Sequence, residues 1–322
     1  MKVQENNLNS IFNKRILRHN IFILICILAA TLIIGGIFVT TIFQSTNITN
    51  VLRISSIVGI VAIGSTIVLL TGEIDLSVGS IMSLSLVTGG YFLQFGSAAG
   101  LILTYLTGLL LGIINGLIVT KGNITSLMVT LGTLSVYGGL ANVIARGQAT
   151  YLYNADAYLW LGKGYIAGLP FPVILFLILS IIFSVFLSYT RTGKHIYFAG
   201  ANARAALYSG VKVHRIKILA YALSGLCAAA AGPLLSSQTN RITPTQGTGY
   251  ELSAIAIAVL GGTSLDGGKG NIIGTLLGAL TYGFLLNILT LSGIGTYMEQ
   301  VLKGVLLVAI VMIFENINKR RK

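Results

Sequence analysis

Two carboxylates, Glu73 and Asp75, stand in the stretch TGEIDLSVGS (Thr71–Ser80), between the apolar runs IVGIVAIGSTIVLL and IMSLSLVTGGYFLQF. Acidic groups at membrane depth are costly, and those that persist serve proton relays, ion or solute pathways, or a specific partner. Glu73, Asp75, Ser77 and Gly79 are thus candidates for an inner-mouth motif, a gate or coupling element at the end of a pathway. The plainer alternative is a turn that caps two helices, with Asp75 or Ser77 as the N-cap of the second. A second stretch, GGTSLDGGKG (Gly261–Gly270), sets Asp266 and Lys269 among Gly261, Gly262, Gly267 and Gly268. Glycine lets the backbone turn sharply or unwind there. It is not a phosphate loop, which needs G-x-x-x-x-G-K followed by Ser or Thr. Here Gly270 follows Lys269 and no strand precedes.

Enzyme chemistry finds little support. His19, His195 and His214 all lie in basic stretches, and none is paired with a nucleophile or with metal-ligand spacing. Cys26 and Cys227 fall in apolar runs and read as small hydrophobes. Glu299 has Lys303 at i+4, a simple helix-face pair. No catalytic residue and no metal site is expected.

The elements that position these residues are membrane helices. Of 322 residues, 54% are hydrophobic and only 9% charged, against roughly 25% charged in soluble domains. Mean hydropathy is +0.87. Apolar runs of about 20 residues, the length needed to cross a bilayer, fill the chain. Continuous runs exclude a transmembrane barrel, whose segments are short and alternating. The expected class is all-α and polytopic, with about ten spans near 20–43, 51–70, 77–95, 98–119, 124–145, 170–189, 216–238, 251–263, 271–292 and 296–314. Residues 1–19 then form a cytoplasmic N-terminal segment, 20–314 the transmembrane domain and 315–322 a basic tail.

The net charge of +13 resembles a nucleic-acid signal until the charges are placed. With ten spans, 16 Lys and Arg gather on the side of both termini and four, Arg53, Arg146, Lys163 and Arg241, on the other. This bias puts both termini in the cytoplasm of a multi-pass membrane protein and gives no reason to invoke nucleic acid.

Two loops exceed a turn. Residues 146–169, expected outside, carry Tyr151, Tyr153, Tyr158, Trp160 and Tyr165, either an interfacial aromatic belt or a docking surface. Residues 190–215, expected inside, contain GANARAALYSGV (Gly200–Val211). Ala and Leu over 202–208, with glycine at each end, predict a short helix on the cytoplasmic face. It is either an amphipathic connector or a protrusion that fits a groove in a soluble partner. Gly108, Gly112 and Gly116, like Gly274 and Gly278, recur every four residues and predict close helix packing.

Taken together, TGEIDLSVGS, GANARAALYSGV, NITSLMVTLGTL and above all TQGTGYELSAIAIAVLGGTSLDGGKGNIIGTLLGAL resemble the permease subunits of bacterial ATP-binding-cassette monosaccharide importers, the ribose permeases most closely, over about residues 45–314. The resemblance implies a vitamin-B12-permease-like helical fold working as a permease dimer, homomeric or of paralogues. It implies ATP-binding subunits on the cytoplasmic face, which bind ATP and Mg, so that this chain binds no cofactor. An extracytoplasmic sugar-binding protein would dock outside, near Asn154 and Asp156. Gly200, Asn202, Arg204, Ser209 and Gly210 would belong to the helix that couples to the ATPase. The chain departs from the family at Ala203, where an acidic residue is common, and at Glu73, where glycine is common. A neutral sugar needs hydroxyls and amides along its path, and Ser83, Ser85, Asn115, Asn142, Tyr282 and Asn287 within the spans supply such groups, or serve as helix-to-helix hydrogen bonds. The expected function is the permease subunit of an ATP-driven importer of ribose or a related pentose. The alternative is a proton-coupled secondary sugar transporter using Glu73 and Asp75, which would need acids deep in a span.

Overall fold

The computed structural model describes residues 21–153, 155–295, 297–298, 300–305, 308–309 and 312. The N-terminal segment 1–19, Asn154, Glu299, the tail 315–322 and much of the tenth expected span lie outside the described residues. Helix α1 runs Ile21–Phe38. The chain continues with α2 Ser45–Leu70, α3 Val78–Tyr91, α4 Ser97–Gly122 and α5 Ser126–Ala145. After strand β1 (Thr150–Tyr151) come α6 Asp156–Lys163, a hairpin of β2 (Tyr165–Ile166) and β3 (Leu169–Pro170), and α7 Phe171–Tyr189. Two short helices, α8 Arg191–Ala201 and α9 Ala203–Tyr208, lead to α10 Val213–Thr239; β4 (Arg241–Ile242), α11 Tyr250–Leu260 and α12 Ile272–Leu291 follow. Among the described residues eight helices are long and apolar enough to cross a membrane.

Helix α2 is the hub, with 78% of its apolar window buried. Helix α4 meets α10 backbone to backbone. A Cβ on Gly108 would fall 2.6 Å from the Gly225 carbonyl, and one on Gly116 2.7 Å from Ile218 Cα. Gly278 repeats this on α11, 2.6 Å from the Ile257 carbonyl. The glycine spacing therefore does what it predicts, bringing helix axes closer than any side chain would permit.

The connections sort to two ends of the bundle. At the β end, β1 pairs antiparallel with β4 (Thr150↔Ile242, Tyr151↔Arg241). The Lys163 ammonium donates to Asn240 Oδ1 at 2.5 Å, and Arg53 donates to the Tyr165 hydroxyl at 2.6 Å. At the other, turn end, the Gly268 amide donates to the Leu70 carbonyl at 3.0 Å. There too the Ile74 amide donates to Ser126 Oγ at 3.2 Å. The loops expected on one side are indeed together.

Two crossings include non-helical backbone. Helix α11 has 11 residues, about 16 Å at ~1.5 Å per residue, half the roughly 30 Å hydrocarbon core. The crossing is completed by the non-helical stretch 243–249, in which Gly247 and Gly249 interrupt helix formation. The α3 crossing keeps its expected span, helical over Val78–Phe95 with a 3-10 last turn, but a non-helical stretch, 73–77, precedes it. The first descends from the β end and the second climbs from the turn end. They meet where Gly247 lies against Gly79, its amide donating to Ser83 Oγ at 2.9 Å.

Candidate functional site

The stretch after α2 begins with a tight stop. Gly72 has φ +77°, and its amide bonds back to Leu69 O. A left-handed residue here closes the helix, and glycine adopts it freely. The non-helical stretch 73–77 then turns inward, and Asp75 is enclosed by the bundle. Asp75 is only 2% exposed. Its Oδ1 accepts the Ser77 hydroxyl at 2.6 Å and the Ser77 amide at 3.0 Å. Its Oδ2 accepts the Ser224 hydroxyl at 3.1 Å.

A directed chain of donors ends on this carboxyl. Tyr137 OH donates to Asn115 Oδ1 at 2.9 Å, and Asn115 Nδ2 donates to Ser77 Oγ at 2.7 Å. Four elements are thus tied to Asp75: α5, α4, the start of α3, and α10. The Ile74 carbonyl beside Asp75 accepts from Tyr221 OH at 3.3 Å.

This geometry corrects part of the sequence reading. Glu73 lies near the turn end, where it pairs with Lys217 in a half-buried ion pair. Asp75, Ser77 and Gly79 lie deeper. Both Ser224 and Tyr137 sit about 16 Å from the turn-end starts of α10 and α5 at ~1.5 Å per residue. Asp75 is therefore enclosed within the bundle rather than lining an open surface, one residue beyond Ile74, whose amide bonds Ser126 at the turn end. Ser77 does hold the N-cap position of α3, yet its side chain makes no cap bond and serves Asp75 instead.

The three motifs singled out in the sequence converge at the turn end. A Cβ on Gly200, near the end of α8, would overlap the Leu70 carbonyl and lie 2.7 Å from the Gly268 amide nitrogen. One on Gly267 would lie 2.7 Å from Gly72 N, and one on Gly268 2.7 Å from Ala201 Cα. Gly267 and Gly268 have φ +85° and +69°. Helix α2, the loop 261–271 and the α8–α9 segment are thus in backbone contact. Gly261 packs on Gly274 and Gly262 turns at φ +86°. Asp266 donates its amide to Ser264 Oγ. Tyr197 OH donates to Gly270 O at 3.0 Å, and burial pushes its phenol up to about 12, so it remains a donor.

Helix α9 stands out beyond this junction. Asn202 caps it, Oδ1 accepting the Ala205 amide at 2.9 Å. Asn202, Arg204, Ser209 and Gly210 are exposed, as are Leu207 and Tyr208, the latter 89%. Gly200 differs from the other four expected coupling residues, because it is wedged inward. At the β end, Asp156 opens α6 in its first turn, where a carboxylate suits the helix N-terminus. Tyr151, Tyr153, Trp160 and Tyr165 are exposed there, whereas Tyr158 is buried and hydrogen-bonded to Ser236.

The polar residues within spans mostly join helices. Asn287 and Asn47 exchange two bonds at 2.9 Å, and Tyr282 OH shares one with Ser253 at 3.1 Å. Sequence reasoning missed Ser224, Tyr137, Tyr221 and Lys217. Only Lys217 left a signal, a cation at the start of an expected span.

Comparison with known proteins agrees with this architecture. Residues 47–311 match the family described as branched-chain amino acid transport system / permease component. The ribose import permease protein of Bacillus subtilis (strain 168) is 41% identical over 284 residues, 87% of this chain and 88% of that one. The ribose import permease protein of Escherichia coli (strain K12) is 38% identical over 276 residues, 84% and 86% of the two chains. The D-allose transport system permease protein of the same strain is 32% identical over 305 residues, 94% and 93%. Among solved structures, a metal-chelate type ABC transporter in an inward-facing conformation matches with a TM-score of 0.56 at 15% identity, covering 92% of this chain and 98% of that one. That likeness concerns the fold. On the match over 47–311 and these relatives, the chain belongs to the branched-chain amino acid transport system / permease component family, the membrane subunits of ABC importers.

Proposed function

We propose that this chain is the translocating subunit of an ATP-driven importer for ribose or a related pentose. The observation that carries the mechanism is the turn-end junction of Gly200, Gly268 and Leu70. It ties an exposed short helix directly to the loop before α12 and to the non-helical stretch before α3. In this reading a separate ATPase subunit binds ATP and Mg and grips α9, and this chain binds no cofactor. A sugar-binding protein delivers the sugar at the β end near Asn154 and Asp156, and a second permease copy completes the path. The turn end and both termini face the cytoplasm of a bacterial inner membrane. The excess of Lys and Arg at the turn end, from Lys121 to Lys269, supports that orientation. The names of the relatives support the choice of sugar.

ATP hydrolysis would shift the packing between outward-open and inward-open states, and the chain needs two such states with different affinity for its partners. Asp75 is buried, as a proton relay would need, but the donors around it all point toward the carboxyl. Kinship with ABC permeases favours ATP as the energy source. The test is labelled-ribose uptake into proteoliposomes holding permease, ATPase and binding protein. Uptake that follows ATP and survives a protonophore supports the reading; uptake driven by a pH gradient without ATP overturns it.

A further inference from the structure

The stretch between β4 and α11 lies where non-helical backbone is hardest to accommodate. Ile242 packs on Gly90 and Gly247 on Gly79, so the chain descends along α3 by about 16 Å at ~1.5 Å per helical residue. Helix α11 then needs its whole length to reach the turn end. Residues 245–251 are therefore near the middle of the bundle. Their flank is open: Thr245, Thr248 and Gly249 are exposed, and a Cβ on Gly249 would meet nothing within 4 Å. Glu251 sits beside this opening, Oε1 accepting the Gly249 amide at 3.1 Å and Oε2 lying over Gly79.

The amides of residues 246–250 are paired within the chain, but exposed threonines and a carboxylate at mid-depth are costly against lipid. This flank must line water or be covered by protein. A carboxylate beside an unfilled space favours water.

We propose that Thr245, Thr248 and Glu251 line the solute path at mid-depth and bind a neutral polyhydroxyl sugar in transit. The carboxylate accepts sugar hydroxyls, the threonines donate and accept, and the glycines leave room for the ring. This rests on the importer reading above, which wild-type uptake tests separately.

The experiment uses the full complex in proteoliposomes. Thr248→Cys and Thr245→Cys are treated with a charged, membrane-impermeant thiol reagent, with the native chain and its Cys26 and Cys227 as background. At least tenfold more labelling than background is expected. Glu251→Gln is expected to lower ribose carried per ATP hydrolysed at least tenfold. Labelling by a lipid-soluble maleimide alone would show that the face meets lipid and overturn the proposal. Disulfide-linked permease dimers without aqueous labelling would show that a second copy covers it, with the same consequence. Unaltered transport stoichiometry in Glu251→Gln would remove the sugar contact. Failure of the wild type to carry ribose would instead count against the pentose, while the labelling still decides whether the face is wet.

Discussion

The amide of Gly268 donates to the carbonyl of Leu70 at 3.0 Å, a backbone bond between segments almost 200 residues apart. Leu70 is the last residue of α2, and its carbonyl is one of those a helix end leaves unpaired. Gly200 packs on the same carbonyl. One peptide group therefore serves as the meeting point of the central helix, the second glycine-rich loop and the segment before α9.

Gly200→Ala tests that junction. The added methyl overlaps backbone, which cannot rotate away, so a loss of about 1–3 kcal/mol is expected. In the assembled transporter, sugar carried per ATP should fall more than total ATP turnover. Equal loss of both would mean that the complex merely fails to assemble.

Asp75→Ala removes the acceptor for two hydroxyls and an amide, all buried. Each orphaned donor costs roughly 1–3 kcal/mol. Expression and insertion should persist, with a lowered detergent melting temperature and impaired uptake. Asp75→Asn keeps an acceptor oxygen and should fall between the two. Wild-type uptake by a well-expressed Asp75→Ala protein would remove the carboxyl from the mechanism.

Glu73 and Lys217 should show coupling. Glu73→Lys alone places two cations together in a half-buried site, while the swap with Lys217→Glu restores an opposite pair. A double-mutant cycle on thermal stability should give about 0.5–3 kcal/mol of interaction. Additive effects would show that the pair contributes nothing measurable.

Arg204→Glu and Tyr208→Ala alter α9 without touching the bundle interior. Stability should change by less than about 0.5 kcal/mol. Co-purification of the ATPase subunit should drop at least fivefold. Retention of the ATPase by both variants would place its docking site elsewhere.

The glycines of α4 and α5 make opposite predictions. Gly108→Ala collides with Gly225 and should destabilise by roughly 1–3 kcal/mol. Gly138→Ala meets nothing within 4 Å in the single chain and should be silent when the chain is alone in detergent. A transport defect in Gly138→Ala without loss of monomer stability would indicate that a second copy packs on α5.

Much of this was legible in the residues, because long apolar runs and four-residue glycine spacing are strong local signals. The helices α4, α5, α7 and α12 lie close to their expected limits, whereas α1 ends earlier than its apolar run and α2 begins earlier. The burial of Asp75 was not legible. Hydropathy averages over a window about as long as a span, and a non-helical stretch enclosed by the bundle reads like a surface turn. Nor were its partners legible: Ser224 lies 149 positions away, and a serine in an alanine-rich helix carries no mark of what it will face. The short α11 was legible, because its apolar run, 251–263, follows TQGTG, where two glycines and two threonines break the hydrophobic pattern.

That shortness has a bearing on biogenesis. A segment of 11 residues is too brief to partition into the bilayer from the translocon as an independent helix, which needs about 20. Its polar approach, 243–249, opposes insertion further. Helix α11 therefore owes its place in the membrane to packing against α2, α12 and α3 rather than to its own hydrophobic length.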